Sequence, residues 1–166
     1  MKAIINYIVF LIGVLIAQFS FPQVSEVVNM GSVINSSARD AEPTFTPDGQ
    51  TMYFNCFDRQ GEEGSDICVS YRQGLDWTEP TIVWEVSTRE HMEVEPLLSP
   101  DGQQLYIMST RPGGKGGMDI WVSDLVGGKW STPRNLDGPI NSAYADHCLY
   151  FTGQEWETAY WTSTRP

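Results

Sequence analysis

Basic residues are scarce in this sequence: Lys and Arg together number 10 against 21 Asp and Glu in 166 residues, for a formal charge of −11. A chain this acidic is a poor partner for nucleic acid or an anionic lipid surface, because both repel it. Its acids either serve solubility or meet a cationic or metal-bridged ligand. Histidine occurs twice and cysteine three times. The Gly-x-Ser-x-Gly elbow, the phosphate loop, Cys-x-x-Cys and the zinc-binding helix are all missing, which removes the common nucleophilic, nucleotide and redox chemistries. No helical period recurs beyond the first residues, so the segments that remain are to be read as strands and turns.

Only one long apolar run is present, and it lies at the start. Lys2 precedes residues 3–17, a stretch shorter than the about 20 residues that a membrane span needs. It reads as a signal peptide over residues 1–20, cut after Ala17 or Ser20, with residues 21–39 leading into the body of the protein. Leu15-Ile16-Ala17-Gln18 has glutamine where a lipoprotein box carries its lipidated cysteine, so no lipid anchor is expected. The expectation is an exported chain, periplasmic or extracellular, with no stable membrane span after cleavage. Cys56 and Cys68 flank a hairpin and can be bonded, although the spacing leaves this open. Cys148 is left over and reads as a small buried hydrophobe.

What the sequence does have is self-similarity. Residues 101–133 repeat residues 48–80 without a gap at an offset of 53. Asp48-Gly49 recurs as Asp101-Gly102, Tyr53 as Tyr106, Asp66-Ile67 as Asp119-Ile120, Trp77 as Trp130 and Pro80 as Pro133. Glu42-Pro43 falls on Glu95-Pro96, and at twice the offset Ile34-Asn35-Ser36 and Asp40 fall on Ile140-Asn141-Ser142 and Asp146. The copies run over about 40–92, 93–145 and 146–166, the third cut short where Ser163-Thr164-Arg165-Pro166 matches Ser109-Thr110-Arg111-Pro112.

Each copy reads as four short antiparallel strands. Residues 42–45 and 95–98 form the first. The Thr/Ser-Pro-Asp-Gly turns at 46–49 and 99–102 follow, where proline presets φ, aspartate accepts backbone N–H groups and glycine tolerates positive φ. Residues 52–56 and 105–109 form a second strand whose apolar residues run consecutively, as they do when both faces are covered. Glycine-rich loops lead to a third strand at 66–70 and 119–123, and the fourth carries Trp77 or Trp130. Unrepeated Gly153-Gln154-Glu155 makes the first turn of the third copy doubtful.

The Ser/Thr-Pro-Asp-Gly-x-x-Leu/Met-Tyr core, the later Asp-Ile and the Trp-x-x-Pro together resemble the PD40, or WD40-like, repeat of TolB-type bacterial β-propellers, over about residues 29–166. The resemblance implies an all-β fold of four-stranded propeller blades. Fewer than three blades fit this length, against about 4–8 in a closed propeller, so the chain is expected to be a fragment of a longer protein or to self-associate through an open blade edge.

In a propeller the innermost strands line a central channel. Asp40, Glu93 and Asp146 share a repeat position at the start of that strand, and Glu42 and Glu95 share another two residues on. With His147 these acids are the ligand-binding candidates at the channel mouth, where calcium is the cofactor that converging oxygens would hold; otherwise no cofactor is implied. Against this, an acid repeated once per blade also serves to cap a turn or bond a neighbouring backbone. Asp48, Gly49, Asp66, Trp77, Asp101, Gly102, Asp119 and Trp130 are read as architectural, because catalysis needs one unique constellation and not one copy per blade. The unrepeated His91 and His147 read as lone exposed histidines, and Arg111 and Lys115 as a solvated loop. No catalytic residue stands out. The sequence is read as an exported binding or scaffold module for a protein or polysaccharide of the envelope, with a propeller-based carbohydrate hydrolase or lyase as the alternative, in which Glu93 and Glu95 would face the channel.

Overall fold

The computed structural model describes residues 28–153 and 156–166. The signal reading of residues 1–20, and Gln154-Glu155 of the doubtful turn, lie outside the described residues. Those residues form an all-β, antiparallel structure without a helix, and none of their segments is a helix long and apolar enough to cross a membrane.

The first sheet consists of β1 (Asp40–Phe45), β2 (Thr51–Phe57), β3 (Ser65–Gln73), β4 (Asp76–Trp77) and β5 (Thr81–Ile82). They run in the order β1-β2-β3-β4, with β5 also on β3. The second holds β6 (Glu93–Leu98), β7 (Gln104–Ser109), β8 (Asp119–Val126), β9 (Lys129–Trp130) and β10 (Arg134–Asn135), with β6-β7-β8-β10 in order and β9 also on β8. A third sheet pairs β11 (Asp146–Thr152) with β12 (Thr158–Ser163). Registers correspond between sheets: Asp40 pairs with Cys56, Glu93 with Ser109 and Asp146 with Ser163.

The single fourth strand expected around each tryptophan is in fact two short pieces. Pro80 and Pro133 lie between them and have no N–H to give to a ladder, so pairing stops at the tryptophan and resumes beyond the proline.

The turns between first and second strands hold themselves together. Asp48 accepts from the Thr46 hydroxyl at 2.6 Å and the Gln50 N–H at 3.0 Å, and Asp101 from the Ser99 hydroxyl at 2.5 Å and the Gln103 N–H at 3.0 Å. Gly102 has φ +68°, and a Cβ there would sit 3.2 Å from Pro47 of the turn in the first sheet.

The three sheets stack in layers. Tyr53, Ile67 and Val69 of the first, with Val86 of the turn that follows it, meet Leu98, Leu105, Ile107 and Trp130 of the second in one core, where the Trp130 indole N–H donates to the Tyr53 hydroxyl at 3.2 Å. Val94, Met108 and Ile120 meet Leu149, Phe151 and Trp161 in another. The far face of the first sheet, Met52, Phe54 and Ile82, is covered by Ile34. β2 is buried at five consecutive residues, Met52 to Cys56, which accounts for the consecutive apolar residues Met52 to Phe54, with Asn55 the one polar residue enclosed among them.

Cys56 and Cys68 form a disulfide, 12 residues apart in sequence, with Cα atoms 5.8 Å apart. They are diagonal neighbours on the β2–β3 ladder, since Cys68 opposes Phe54 and Cys56 opposes Asp66.

Candidate functional site

The first strands of the three sheets, β1, β6 and β11, carry the candidate residues, and β6 neighbours both of the others. Two sets of side chains leave these strands in different directions.

The strand-opening acids are enclosed. Asp40 accepts from Arg59 at 3.0 Å and from the Ser36 N–H and hydroxyl at 2.7 and 2.6 Å. Asp146 repeats this with Arg165 at 2.9 Å and both Ser142 groups at 2.7 Å. Glu93, fully buried, takes Arg111 at 3.0 Å, the Ser109 hydroxyl at 2.7 Å and the Thr88 N–H at 2.8 Å. Each arginine also donates to backbone carbonyls of the segment before its strand: Arg59 to Val33 and Ile34, Arg111 to Val86, Arg165 to Pro139 and Ile140. A charged clamp therefore closes the first strand of each sheet, and the alternative pairing of Glu93 with Glu95 has no free carboxylate at Glu93.

Arg111 corrects the reading of its loop as solvated: its side chain is only 10% exposed and stacks over Trp121. Sequence comparison nearly found the clamp, because Arg111 and Arg165 lie in matching Ser-Thr-Arg-Pro segments. Arg59 escaped because it sits one residue out of register with Arg111. Lys115 of the same loop is exposed and pairs with Asp137 at 3.3 Å.

The architectural aspartates divide. Asp119 accepts the Lys115 and Gly116 amides at 2.6 and 3.1 Å, and a Cβ on Gly116 would collide with the Tyr144 carbonyl, so the loop has no room for a side chain there. In the first sheet it is Asp58 that takes the loop amide, from Gly64 at 2.9 Å. Asp66 and Asp119 each leave Oδ1 without a partner, and at Asp66 burial, with the charges of Glu93 and Glu62 behind it, pushes the carboxyl up to about 6. Trp77 is half-buried beneath Arg72, while Trp130 is buried.

The second set comes from a bulge. In each of these first strands the register slips, between Ala41 and Thr44, Val94 and Leu97, and His147 and Tyr150. At each slip a residue other than glycine takes a left-handed conformation: Glu42 at φ 56°, Glu95 at 54° and Cys148 at 54°. Such a backbone costs on the order of 1–3 kcal/mol at a non-glycine residue and gathers at functional places. A bulge re-aims side chains that regular alternation would place on the sheet faces. Here the three bulges line a common open concavity of about 380 Å³, with Thr44, Leu97 and Tyr150 among its walls.

Glu95 and Cys148 line that concavity, and His147 meets them at its side. The Cys148 N–H donates to Glu95 Oε2 at 2.5 Å, and Cys148 Sγ stands 3.5 Å from Glu95 Oε1. His147 Nδ1 is 3.1 Å from Sγ and 3.7 Å from Glu95 Oε1. Glu42 accepts from Asn55 at 3.1 Å. Burial pushes the Cys148 thiol up, and the nearby charges of Glu95 and Glu42 add to this, so without a cation it stays protonated at neutral pH and is no nucleophile.

Cys148 is thus exposed, not the small buried hydrophobe its sequence neighbourhood suggested, because the left-handed backbone turns it out of the sheet. His147 is likewise not a lone exposed residue; its side chain is 30% exposed and packed into this cluster. His91 lies in the bend before β6 and has no part in it. Comparison with family models and with curated proteins gives no match.

Proposed function

We propose that the chain is an exported propeller-type module of the PD40 kind, working in the periplasm or at the cell surface by binding a protein or polysaccharide in the concavity between its inner strands. The observation that carries this reading is the row of three strained bulges opening into one hollow. Strain repeated at the same place in three strands, and directed at a shared surface, is accounted for by something that surface holds. The matching strand order and registers of the first two sheets, and the layered stacking of all three, support blades over a single sandwich. The Cys56–Cys68 bond is compatible with an oxidising compartment. With Glu93 locked to Arg111, the carboxylate pair needed for glycoside hydrolysis is absent at that strand, which favours binding over turnover.

A photoreactive amino acid placed at Tyr150, 62% exposed on the wall of the hollow, tests the reading in intact cells. A discrete envelope adduct is expected from this position and not from Val126, which is equally open but lies outside the hollow. Equal labelling at both positions, or none at Tyr150, would argue against the hollow as a binding surface. Turnover of a polysaccharide that disappears in Glu95→Gln would replace binding with catalysis.

A further inference from the structure

We propose that Glu95, His147 and Cys148 form a binding site for one thiophilic divalent cation, zinc being the ion whose chemistry fits. This names a ligand for the hollow described above and rests on that reading only for its location.

Ideal bond lengths set the test of fit. Zinc bound at about 2.3 Å to sulfur and about 2.0–2.1 Å to nitrogen and oxygen in a tetrahedron places those ligand atoms about 3.3–3.6 Å from one another. The three edges here are 3.1 Å for nitrogen to sulfur, 3.5 Å for sulfur to oxygen and 3.7 Å for nitrogen to oxygen. A small motion of each side chain suffices to take up one ion. The donor set of one sulfur, one nitrogen and one oxygen selects a borderline-soft ion over calcium, which takes oxygen ligands only.

The backbone explains how adjacent residues come to share an ion. Consecutive strand residues point to opposite faces, and His147 and Cys148 would be divided by the sheet but for the left-handed turn at Cys148. Glu95 is held in place by the Cys148 N–H on Oε2, which leaves Oε1 directed at the sulfur and the imidazole. This is the outer support that metal ligands require. The site is also unique. At the position of His147 the other two inner strands carry Ala41 and Val94, and at that of Cys148 they carry Glu42 and Glu95, so one constellation exists where the remaining architecture is repeated.

Binding is balanced in charge and protons. The cation displaces the thiol proton to solvent and forms a bond to sulfur; His147 gives the lone pair on Nδ1 with its proton on Nε2; Glu95 gives an ionised oxygen. Thiolate and carboxylate together neutralise the dication.

Cobalt(II) titration of the full purified chain, with the disulfide left intact and Cys148 assayed as a free thiol, reads the site directly. One equivalent is expected to produce the thiolate-to-cobalt charge-transfer band and the visible bands of a tetrahedral ion, both bleached by zinc and unaffected by calcium. Cys148→Ser should abolish the charge-transfer band, and His147→Ala and Glu95→Gln should each weaken binding by roughly tenfold or more, at least the loss typical of an outer-shell partner. Because none of the three side chains is buried, thermal melts of the apo variants should match the parent and exclude misfolding. Cobalt bound without a thiolate band, affinity unchanged in His147→Ala, or no cobalt binding would each overturn the site. Repeating the Tyr150 cross-link in chelator keeps the two proposals apart: an adduct that persists while cobalt fails to bind sinks the metal site and leaves the binding surface standing.

Discussion

Two buried carboxylates of opposite behaviour lie in different sheets of this protein, and their surroundings decide the sign. Asp66 is held up at about 6 by burial first, then by Glu93 and Glu62, and one of its oxygens has no partner. Its folded value lies above its unfolded one, so the stability it contributes is complete below about pH 4 and lost as pH rises through about 6. Asp66→Asn should therefore stabilise the protein at pH 7.5, by about 2–3 kcal/mol at most, and by nothing at about pH 4. Urea unfolding at the two pH values checks this, and a gain that does not vary with pH would remove charge as its cause. Asp146 is the reverse case. Burial pushes it up, but bonds from Ser163, Ser142 and Arg165 outweigh this and hold it at about 2. That stability is present above the unfolded value of about 4 and lost as pH falls through about 2. Arg165 supplies one of several bonds behind this lowering and is partly exposed, so Arg165→Ala should cost on the order of 1 kcal/mol at neutral pH, with the loss shrinking in acid. A penalty that is constant down to the acid limit would mean that Arg165 acts through packing on Trp161, over which its guanidinium lies, instead of through charge.

At the scale of the elements, legibility followed chemistry that is local in sequence. The Asp48 and Asp101 turns could be read because proline, aspartate and glycine each supply one stated requirement, and the second strands because residues buried on both faces leave consecutive apolar residues, Met52 to Phe54 and Leu105 to Met108. Asp48→Ala and Asp101→Ala should each lower the melting midpoint by loss of the bond to the amide two residues on; unchanged melting in both would dismiss these bonds as contributors. The Arg59, Arg111 and Arg165 clamp was not legible, since its partners lie 18 or 19 residues away and one arginine is out of register. The hollow was half legible. Glu42, Glu95 and His147 stood out by position, but period-two alternation sends Cys148 to the wrong face, and no glycine announces the left-handed turn that brings it back. The disulfide joins diagonal ladder positions, so it too depends on a register that sequence spacing only brackets. Closing a loop of 12 residues, it should contribute about 2–4 kcal/mol. Cys56→Ala combined with Cys68→Ala, compared with the parent by denaturant unfolding, measures this, and a difference of a few tenths would show that the buried ladder alone fixes the hairpin.

For the molecule as a whole, each sheet relies on a neighbour. The first sheet covers its far face with Ile34, and the second is packed on both sides. The third is different: β12 pairs with β11 alone, and among the described residues its other edge meets no strand. Its residues alternate between exposed and half-buried, with Tyr160 58% exposed, and Ala159, Trp161 and Arg165 help to line an open depression beside it. A free ladder edge flanked by aromatic surface is a template for another strand, and this edge carries neither a lysine nor a proline within β12 to discourage pairing. The protein is therefore expected to self-associate with rising concentration in sedimentation velocity and to bind a hydrophobic dye in proportion. Tyr160→Lys, which places a charge on the exposed edge while leaving the Trp161 face intact, should shift the association to higher concentration without lowering the melting midpoint. Variants at Val126, exposed but remote from this edge, should behave as the parent. A species that stays monomeric and dye-negative at every concentration would show that the edge is protected by its own twist and side chains, and association would then have to be sought at the hollow between β1, β6 and β11.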